Sequence, residues 1–339
     1  MIKKKLEILL ITYNRSKDLE NTFKQLIMSP FAECALTVLD NCSEDDTPHV
    51  CDKYQKLFSN MKVIRHDKNI GASANYLRAV ELSKSLYTWI LCDDDHYNFS
   101  NCLDVISTIN SEKFDFISVG DPGYCNWKRG IKTTSKELIH DNANYFQNLC
   151  FVPSLIFKTN LYDSYCIHKG YLNTHNFYPH FVFINKSVEN NFSVYVSKKP
   201  LIIRGEHNST GSFGLKWYNG WINSCALIKN RKLRHSTVYD MAIDSSFLKV
   251  IITIIAMEKI RNDKDLSKNG LSLVSGLFLA FKGNKGIFSL LVIILSLLTP
   301  SIIYKAVIKS ILLIKYGKKN YREKKEEIML DKSFKGFRI

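Results

Sequence analysis

No cysteine spacing in this chain reads as a staple or a metal knuckle. Its nine cysteines (34, 42, 51, 92, 102, 125, 150, 166 and 225) are odd in number and include no C-x-x-C pair, and several lie inside apolar runs. That pattern fits reduced thiols in a cytoplasm better than disulfides or structural zinc. Acidic residues are also short: 32 Asp and Glu face 47 Lys and Arg, a formal net charge of +15. Such an excess asks for an anionic partner, namely nucleotide phosphates, acidic lipid headgroups or nucleic acid. Long apolar runs are missing as well. Ile287 to Tyr304, 18 uncharged residues broken by Pro300, sits at the threshold of the ~20 needed to span a bilayer. Met1 to Lys5 is basic, but the apolar run behind it is short and ends in Tyr13-Asn14-Arg15 rather than small residues, so no secretory signal is expected.

What is present centres on Tyr87 to His96. The strand formers Tyr87-Thr88-Trp89-Ile90-Leu91-Cys92 run straight into Asp93-Asp94-Asp95. Three adjacent carboxylates repel one another and are comfortable in solvent or beside a hard divalent cation that prefers oxygen ligands. Taken alone, the triplet reads more readily as an acidic turn ending a strand.

Around it the chain alternates strands and helices. Leu6 to Thr12 reads as a buried strand, Ser16 to Met28 as a helix, Leu36 to Leu39 as a strand and Val50 to Phe58 as a helix. Met61 to Ile64 is a third strand, a helix follows Asn75 to about Lys84, and Tyr87 to Cys92 is the fourth strand. This order predicts a doubly wound, mostly parallel Rossmann-like sheet, whose ligands gather at the carboxyl ends of the strands. Four polar clusters fall on that edge: Thr12 to Arg15, Asp40 to Thr47, Asn69 to Asn75 and Asp93 to Asp95. A strand-end carboxylate such as Asp40 can accept a base N–H, and Asn14 and Arg15 can meet a ribose or phosphate. Gly71 before a helix permits close backbone approach and leaves N–H groups for phosphate or sugar hydroxyls. Each cluster taken singly has a plainer reading, as an Asx turn, a helix cap or a turn glycine.

As a set, Thr12-Tyr13-Asn14-Arg15, Leu39-Asp40-Asn41-Cys42-Ser43-Glu44-Asp45-Asp46-Thr47, Asn69-Ile70-Gly71 with Asn75, and Leu91-Cys92-Asp93-Asp94-Asp95 resemble the successive motifs of the family 2 glycosyltransferases. The resemblance covers about the first third of the chain. It implies the GT-A fold, a nucleotide-sugar donor, a divalent metal (Mn2+ or Mg2+) and inversion at the anomeric carbon. It implies that Thr12, Tyr13 and Asp40 hold the base, that Asp93 meets the ribose or a metal-bound water, and that Asp95 binds the metal, with Asp93 a candidate metal ligand beside it. Asn14, Arg15, Asn41, Asn69, Gly71, Asn75 and Asp94 fall within the donor-binding motifs. Asp40 favours a UDP- or dTDP-sugar, since uracil and thymine offer an N–H.

Farther along, Phe114 to Gly120 and Leu155 to Phe157 read as strands, and Asp121 to Thr134 as a loop on the acceptor side. At Phe177 to Ile184 many family members start a helix with an acidic pair that includes the general base. That pair is missing here, and Tyr178-Pro179-His180 resembles a bacterial subgroup acting in O-antigen or capsule assembly. His180 is therefore the candidate base, with a helix-start histidine packed among aromatics as the alternative. Val194 to Val196 and Leu201 to Arg204 read as short strands, and the polar segment Gly205 to Ser212 offers Glu206 and His207, the latter a candidate further metal ligand.

The expected organisation is a catalytic domain over residues 1–212, with a donor half 1–112 and an acceptor half 113–212, and a helical, membrane-associating region over 213–339. In that region Leu215 to Arg231 and Thr237 to Ile260 read as amphipathic helices. Beyond them, lysines flank and interleave the apolar runs. This predicts helices lying in the interface of an anionic membrane rather than crossing it, with a buried helical hairpin as the alternative. The expected activity is inverting sugar transfer to a glycan or lipid-linked oligosaccharide at the cytoplasmic face of the inner membrane, with no nucleic acid partner. Two other classes fit less well. A sugar-phosphate nucleotidylyltransferase would want a glycine-rich basic loop where Thr12 to Arg15 stands, and a non-catalytic lipid-associated sugar-nucleotide module would not need the intact Asp triplet.

Overall fold

The computed structural model describes residues 2–121, 128–141, 151–203, 214–225, 227–231, 234, 245–278, 284–311, 313–314 and 320. The chain separates into two compact units, Met1–Asn208 and Ser209–Ile339.

The first unit is built on an eight-stranded sheet. Its strands are β1 (Leu6–Thr12), β2 (Ala35–Asp40), β3 (Met61–Arg65), β4 (Tyr87–Cys92), β6 (Phe116–Ser118), β8 (Ile131–Thr134), β9 (Leu155–Lys158) and β10 (Ser193–Val196), in the order β3-β2-β1-β4-β9-β6-β10-β8. The first four are mutually parallel, β9 runs antiparallel to both neighbours, β10 is parallel to β6, and β8 closes the edge antiparallel to β10. A small second sheet joins β5 (His96–Tyr97), β11 (Ile202–Ile203) and β7 (Gly120–Asp121).

The near-continuous apolar runs of β1, β2 and β4 follow from burial on both faces, as a parallel sheet covered by helices requires. Leu6, Ile8, Leu10, Leu36, Val38, Trp89 and Leu91 share one core with Leu19, Phe23 and Leu26 of α1 (Ser16–Ile27), Val50, Cys51 and Tyr54 of α2 (Thr47–Gln55), and Val105 and Ile109 of α4 (Leu103–Ser111). Leu9, Leu39 and Ile90 lie outside that cluster yet are fully buried, as the two-residue period of a strand dictates. The helix α3 (Ala72–Leu82) packs against β1 and β4. Trp89 brings a polar atom into the core, and its indole N–H donates to the Pro153 carbonyl at 2.9 Å. The buried Glu7 is likewise satisfied, accepting from the Thr37 hydroxyl at 3.1 Å and the Lys84 N–H at 2.9 Å.

Several boundaries differ from the sequence reading. The second helix begins at Thr47 rather than Val50 because Pro48 falls in its first turn, where no N–H is needed. Ile131–Thr134, read as loop, is the edge strand β8, and α5 (Ser135–Asp141) follows it directly. α6 (Ser164–Leu172) is capped by Asp163, whose carboxylate accepts the Cys166 N–H. The helix expected near Phe177 starts later, as α7 (Phe181–Glu189), after Phe177 takes a left-handed φ of 65°.

The second unit holds α8 (Leu215–Cys225), α9 (Ser245–Ile260), α10 (Leu266–Phe278) and α11 (Asn284–Leu298), followed by a helical stretch, Ser301–Ile311. The part of the expected helix at 237–244 lies outside the described residues, as do 204–213 and 321–339. Among the described residues no single helix is long and apolar enough to cross a membrane. One pair, Gly286–Leu298 with Ser301–Ile311, meets the length and composition together but is bent by 99°.

Candidate active site

Strand register brings the polar clusters together. Thr12 ends β1 opposite Asp40 at the end of β2, Asp40 stands opposite Arg65 at the end of β3, and Ile11 stands opposite Cys92, the last residue of β4. The Asp triplet therefore emerges beside Thr12, at the carboxyl edge where a parallel sheet collects ligands.

All three aspartates are buried. The Thr12 hydroxyl donates to Asp93 Oδ2 at 2.5 Å, and Arg15 Nη1 lies 2.9 Å from Asp93 Oδ1 and 2.8 Å from Asp94 Oδ2. Burial alone would lower the Arg15 pKa, but Asp93 and Asp94 outweigh it and hold the guanidinium firmly protonated. Burial also pushes the Asp93 carboxyl up to about 6; the Asp94 charge adds to the rise, and Arg15 and Thr12 oppose it. The turn after β4 is pinned through its backbone, with Thr22 donating to the Asp93 carbonyl at 3.1 Å and the Tyr97 hydroxyl donating to the Cys92 carbonyl.

The loop after β1 is braced by the loop after β2. Asn14, at a left-handed φ of 51°, donates its N–H to Ser43 Oγ at 2.9 Å and accepts the Glu44 N–H at 2.7 Å. Asp40 is fully buried. Its Oδ1 accepts the Ser43 N–H at 2.9 Å, while its Oδ2 lies 3.3 Å from Arg65 Nε and makes no hydrogen bond among the described residues. Asn41 and Asn69 join side chain to side chain at 2.9 Å and hold the N–H groups of Ile70 and Gly71. Gly71, at φ 85° and ψ 152°, precedes α3 in a region open essentially to glycine alone. Asn75 faces inward, bonded to the Leu39 carbonyl and to His66. Tyr13 of the first cluster presents an exposed aromatic ring.

One group of side chains at the triplet could hold a metal. A sulfur of Cys92 and carboxylate oxygens of Asp94 and Asp95 lie within 4.8 Å of one another. Asp93, also a candidate ligand, is not in this group; its two oxygens face Thr12 and Arg15, and Arg15 contacts Asp94 as well. Burial, followed by the charges of Asp95, Asp94 and Asp93, drives the Cys92 thiol well above its ordinary pKa. The donors that remain for a hard cation are the carboxylates of Asp94 and Asp95, which fit Mn2+ or Mg2+. His207, with Glu206, lies outside the described residues.

His180 stands immediately before α7 and is 4% exposed. Its ring centroid is 5.3 Å from that of Phe181, 5.7 Å from Tyr76 and 6.1 Å from Tyr178. Two residues of the edge escaped the sequence reading. Arg65 couples Asp40 to the next loop through a 2.7 Å bond to the Ser43 carbonyl, and Cys92 borders the carboxylate pair. The one available signal for Arg65 was a cation at the end of the third strand.

A mostly parallel sheet that gathers a buried strand-end carboxylate, a glycine-started helix and a carboxylate pair at one edge defines a fold of the GT-A type. Glycosyl transferase family 2 matches residues 7–192, and the chain belongs to that family. Solved structures give the same architecture. S. aureus TarS 1-349 in complex with UDP-GlcNAc superposes with a TM-score of 0.54 at 15% identity, over 89% of this chain and 92% of that one. The mannosyltransferase PcManGT from Pyrobaculum calidifontis, in complex with GDP-Man and Mn2+, superposes with a TM-score of 0.52 at 12% identity, over 87% of each chain. At these identities the likeness speaks for the fold. No curated protein matches the chain in sequence.

Proposed function

We propose that the chain transfers one sugar from a nucleotide-sugar donor to a hydroxyl of a lipid-linked glycan in bacterial surface-polysaccharide synthesis, inverting the anomeric centre. The observation that carries this reading is the set of buried polar groups at one sheet edge, with Asp40 and Asp94 each paired to an arginine of a neighbouring strand or loop and Asp95 beside Asp94. The nucleotide-sugar complexes of two relatives by fold support the donor class.

In this reading Asp40 Oδ2, ion-paired with Arg65 but with no hydrogen-bond donor among the described residues, accepts the N–H of a uracil or thymine, and the exposed Tyr13 ring covers the base. Gly71 and the first N–H groups of α3 face donor oxygens. Asp94 and Asp95 would hold Mn2+ or Mg2+, which supplies charge neutralisation for the departing diphosphate. Arg15 opposes the burial-driven rise of the Asp93 pKa and fixes the direction of Asp93 and Asp94 through its ion pairs. His180 takes the proton of the acceptor hydroxyl once the acceptor has displaced its aromatic cover. The net charge of +15 and the apolar, lysine-flanked C-terminal segment favour action at the cytoplasmic face of the inner membrane.

The test is a panel of UDP- and dTDP-sugars offered to the purified protein with Mn2+, with and without a bacterial lipid extract. One donor should release its nucleoside diphosphate faster when lipid is added, and the new glycosidic bond should have the anomeric configuration opposite to the donor's. Retention of configuration, or no nucleotide release from any donor, would overturn the proposal.

A further inference from the structure

The bent helix pair of the second unit carries polarity in the wrong direction for a helix facing water. On α11, Ser289 and Ser296 are buried with Leu290 and Ile293, whereas Phe288 (63% exposed), Leu295 (62%) and Leu298 (73%) point outward together with Ile287 and Leu291. The inner face is packed against α9 and α10, and Leu297 meets Gly270 so closely that a Cβ there would stand 2.6 Å from a Leu297 methyl. A helix covered on one side by its own bundle should turn its polar residues outward. The outward row, spaced at helical intervals from Ile287 to Leu298, continues past the break through Ile302 (73%), Ile303 and Val307.

The break itself is a built feature. A helix end leaves carbonyls without partners, and here they are taken up by side chains. The Lys259 ammonium donates to the Leu297 carbonyl and, at 2.6 Å, to the Thr299 carbonyl, and the Tyr304 hydroxyl donates to the Ser296 carbonyl at 2.9 Å. Straightening the pair into one span would break all three bonds, while Pro300 could not supply an N–H to replace them.

We infer that this pair is an in-plane anchor: its outward row lies in one leaflet of an anionic membrane, and the 99° bend keeps both of its ends on the same side. The lipid is identified by charge. Lys305 and Lys309 are exposed on the second arm, and Lys315, Lys318 and Lys319 follow in sequence. Such interleaving of lysine with long aliphatics suits acidic headgroups above an acyl boundary. The inference deepens the membrane part of the proposed function and borrows from it only the choice of a lipid surface.

The experiment uses the full chain and preformed phosphatidylcholine vesicles with and without phosphatidylglycerol. Wild type should sediment with the anionic vesicles. Leu291→Ser with Leu295→Ser, two exposed positions, should weaken that binding by about tenfold or more with an unchanged circular dichroism spectrum. Cysteines introduced at Asn284 and Ser310, read individually by peptide mass spectrometry, should both react with a membrane-impermeant maleimide added outside the vesicles. Unchanged vesicle binding by the double-serine variant would overturn the inference. So would protection of one introduced cysteine, which marks a span, or a wild-type dimer without lipid that the serines dissociate, which marks a second copy as the occupant. Nucleoside diphosphate binding, measured on the same samples, separates failure of this inference from failure of the donor reading.

Discussion

Arg15→Met isolates the electrostatics of the edge. In the wild type one guanidinium nitrogen sits within 2.9 Å of Asp93 and 2.8 Å of Asp94. Removing it leaves two buried carboxylates side by side. Losing one partner of a buried ion pair costs about 3–5 kcal/mol, but the Arg15 side chain is 37% exposed, so solvent screening brings the expected loss to about 2–3 kcal/mol. That corresponds to a melting temperature lower by roughly 5–8 °C.

The loss should depend on pH with a definite sign. Burial already raises Asp93 to about 6, and without Arg15 it rises further. A carboxyl whose folded pKa exceeds its unfolded value loses stability as pH climbs through that interval. The gap between wild type and variant should therefore be small at pH 4.5 and full at pH 7.5. Adding Mn2+ at pH 7.5 should recover at least half of it, since a cation at Asp94 and Asp95 takes over part of Arg15's role. Thermal melts followed by circular dichroism read all three. A gap under about 1 °C at pH 7.5 in metal-free buffer, or a gap equal at both pH values, would refute the reasoning.

Gly71→Ala meets no steric obstacle, as nothing lies within 4 Å of the added Cβ, but its φ of 85° costs an alanine about 1–3 kcal/mol; urea midpoints should fall accordingly and donor affinity with them. Asp40→Asn keeps an oxygen for the Ser43 N–H but turns an amide toward Arg65, so uridine diphosphate binding should weaken about tenfold by calorimetry. His180→Ala should abolish turnover in the transfer assay while nucleoside diphosphate affinity stays within about twofold; near-normal turnover would leave His180 as packing for Tyr76, Tyr178 and Phe181.

Much of the donor half was legible because its strands are long, apolar and buried on both faces, and because each ends in a polar cluster. The periodicity of Leu6 to Thr12 and Tyr87 to Cys92 leaves little choice. The edge strand Ile131–Thr134 was not legible, since its burial is only partial and its short Ile-Lys-Thr-Thr pattern is as compatible with a loop. Two-residue strands such as β5 and β7 carry no periodicity at all. Within the site, residue types named the chemistry but not the division of labour. Nothing in the spelling of Asp93-Asp94-Asp95 says that the first member turns to Thr12, that Arg15 bridges the first two, or that the last two approach one another. That choice depends on strand register, which sets Thr12 beside the triplet. The enclosure of His180 likewise comes from tertiary packing, as Tyr76 arrives from α3, a hundred residues away in sequence.

The most direct measurement is calorimetric binding of a nucleoside diphosphate panel, with and without Mn2+, to wild type and to Asp95→Ala. The account predicts that one pyrimidine nucleotide binds only with metal and that Asp95→Ala loses this binding while keeping its melting temperature. Binding indifferent to metal, or equal in the variant, would contradict the assignment of Asp94 and Asp95 as the cation site. Absence of binding by every nucleotide would contradict the donor site itself.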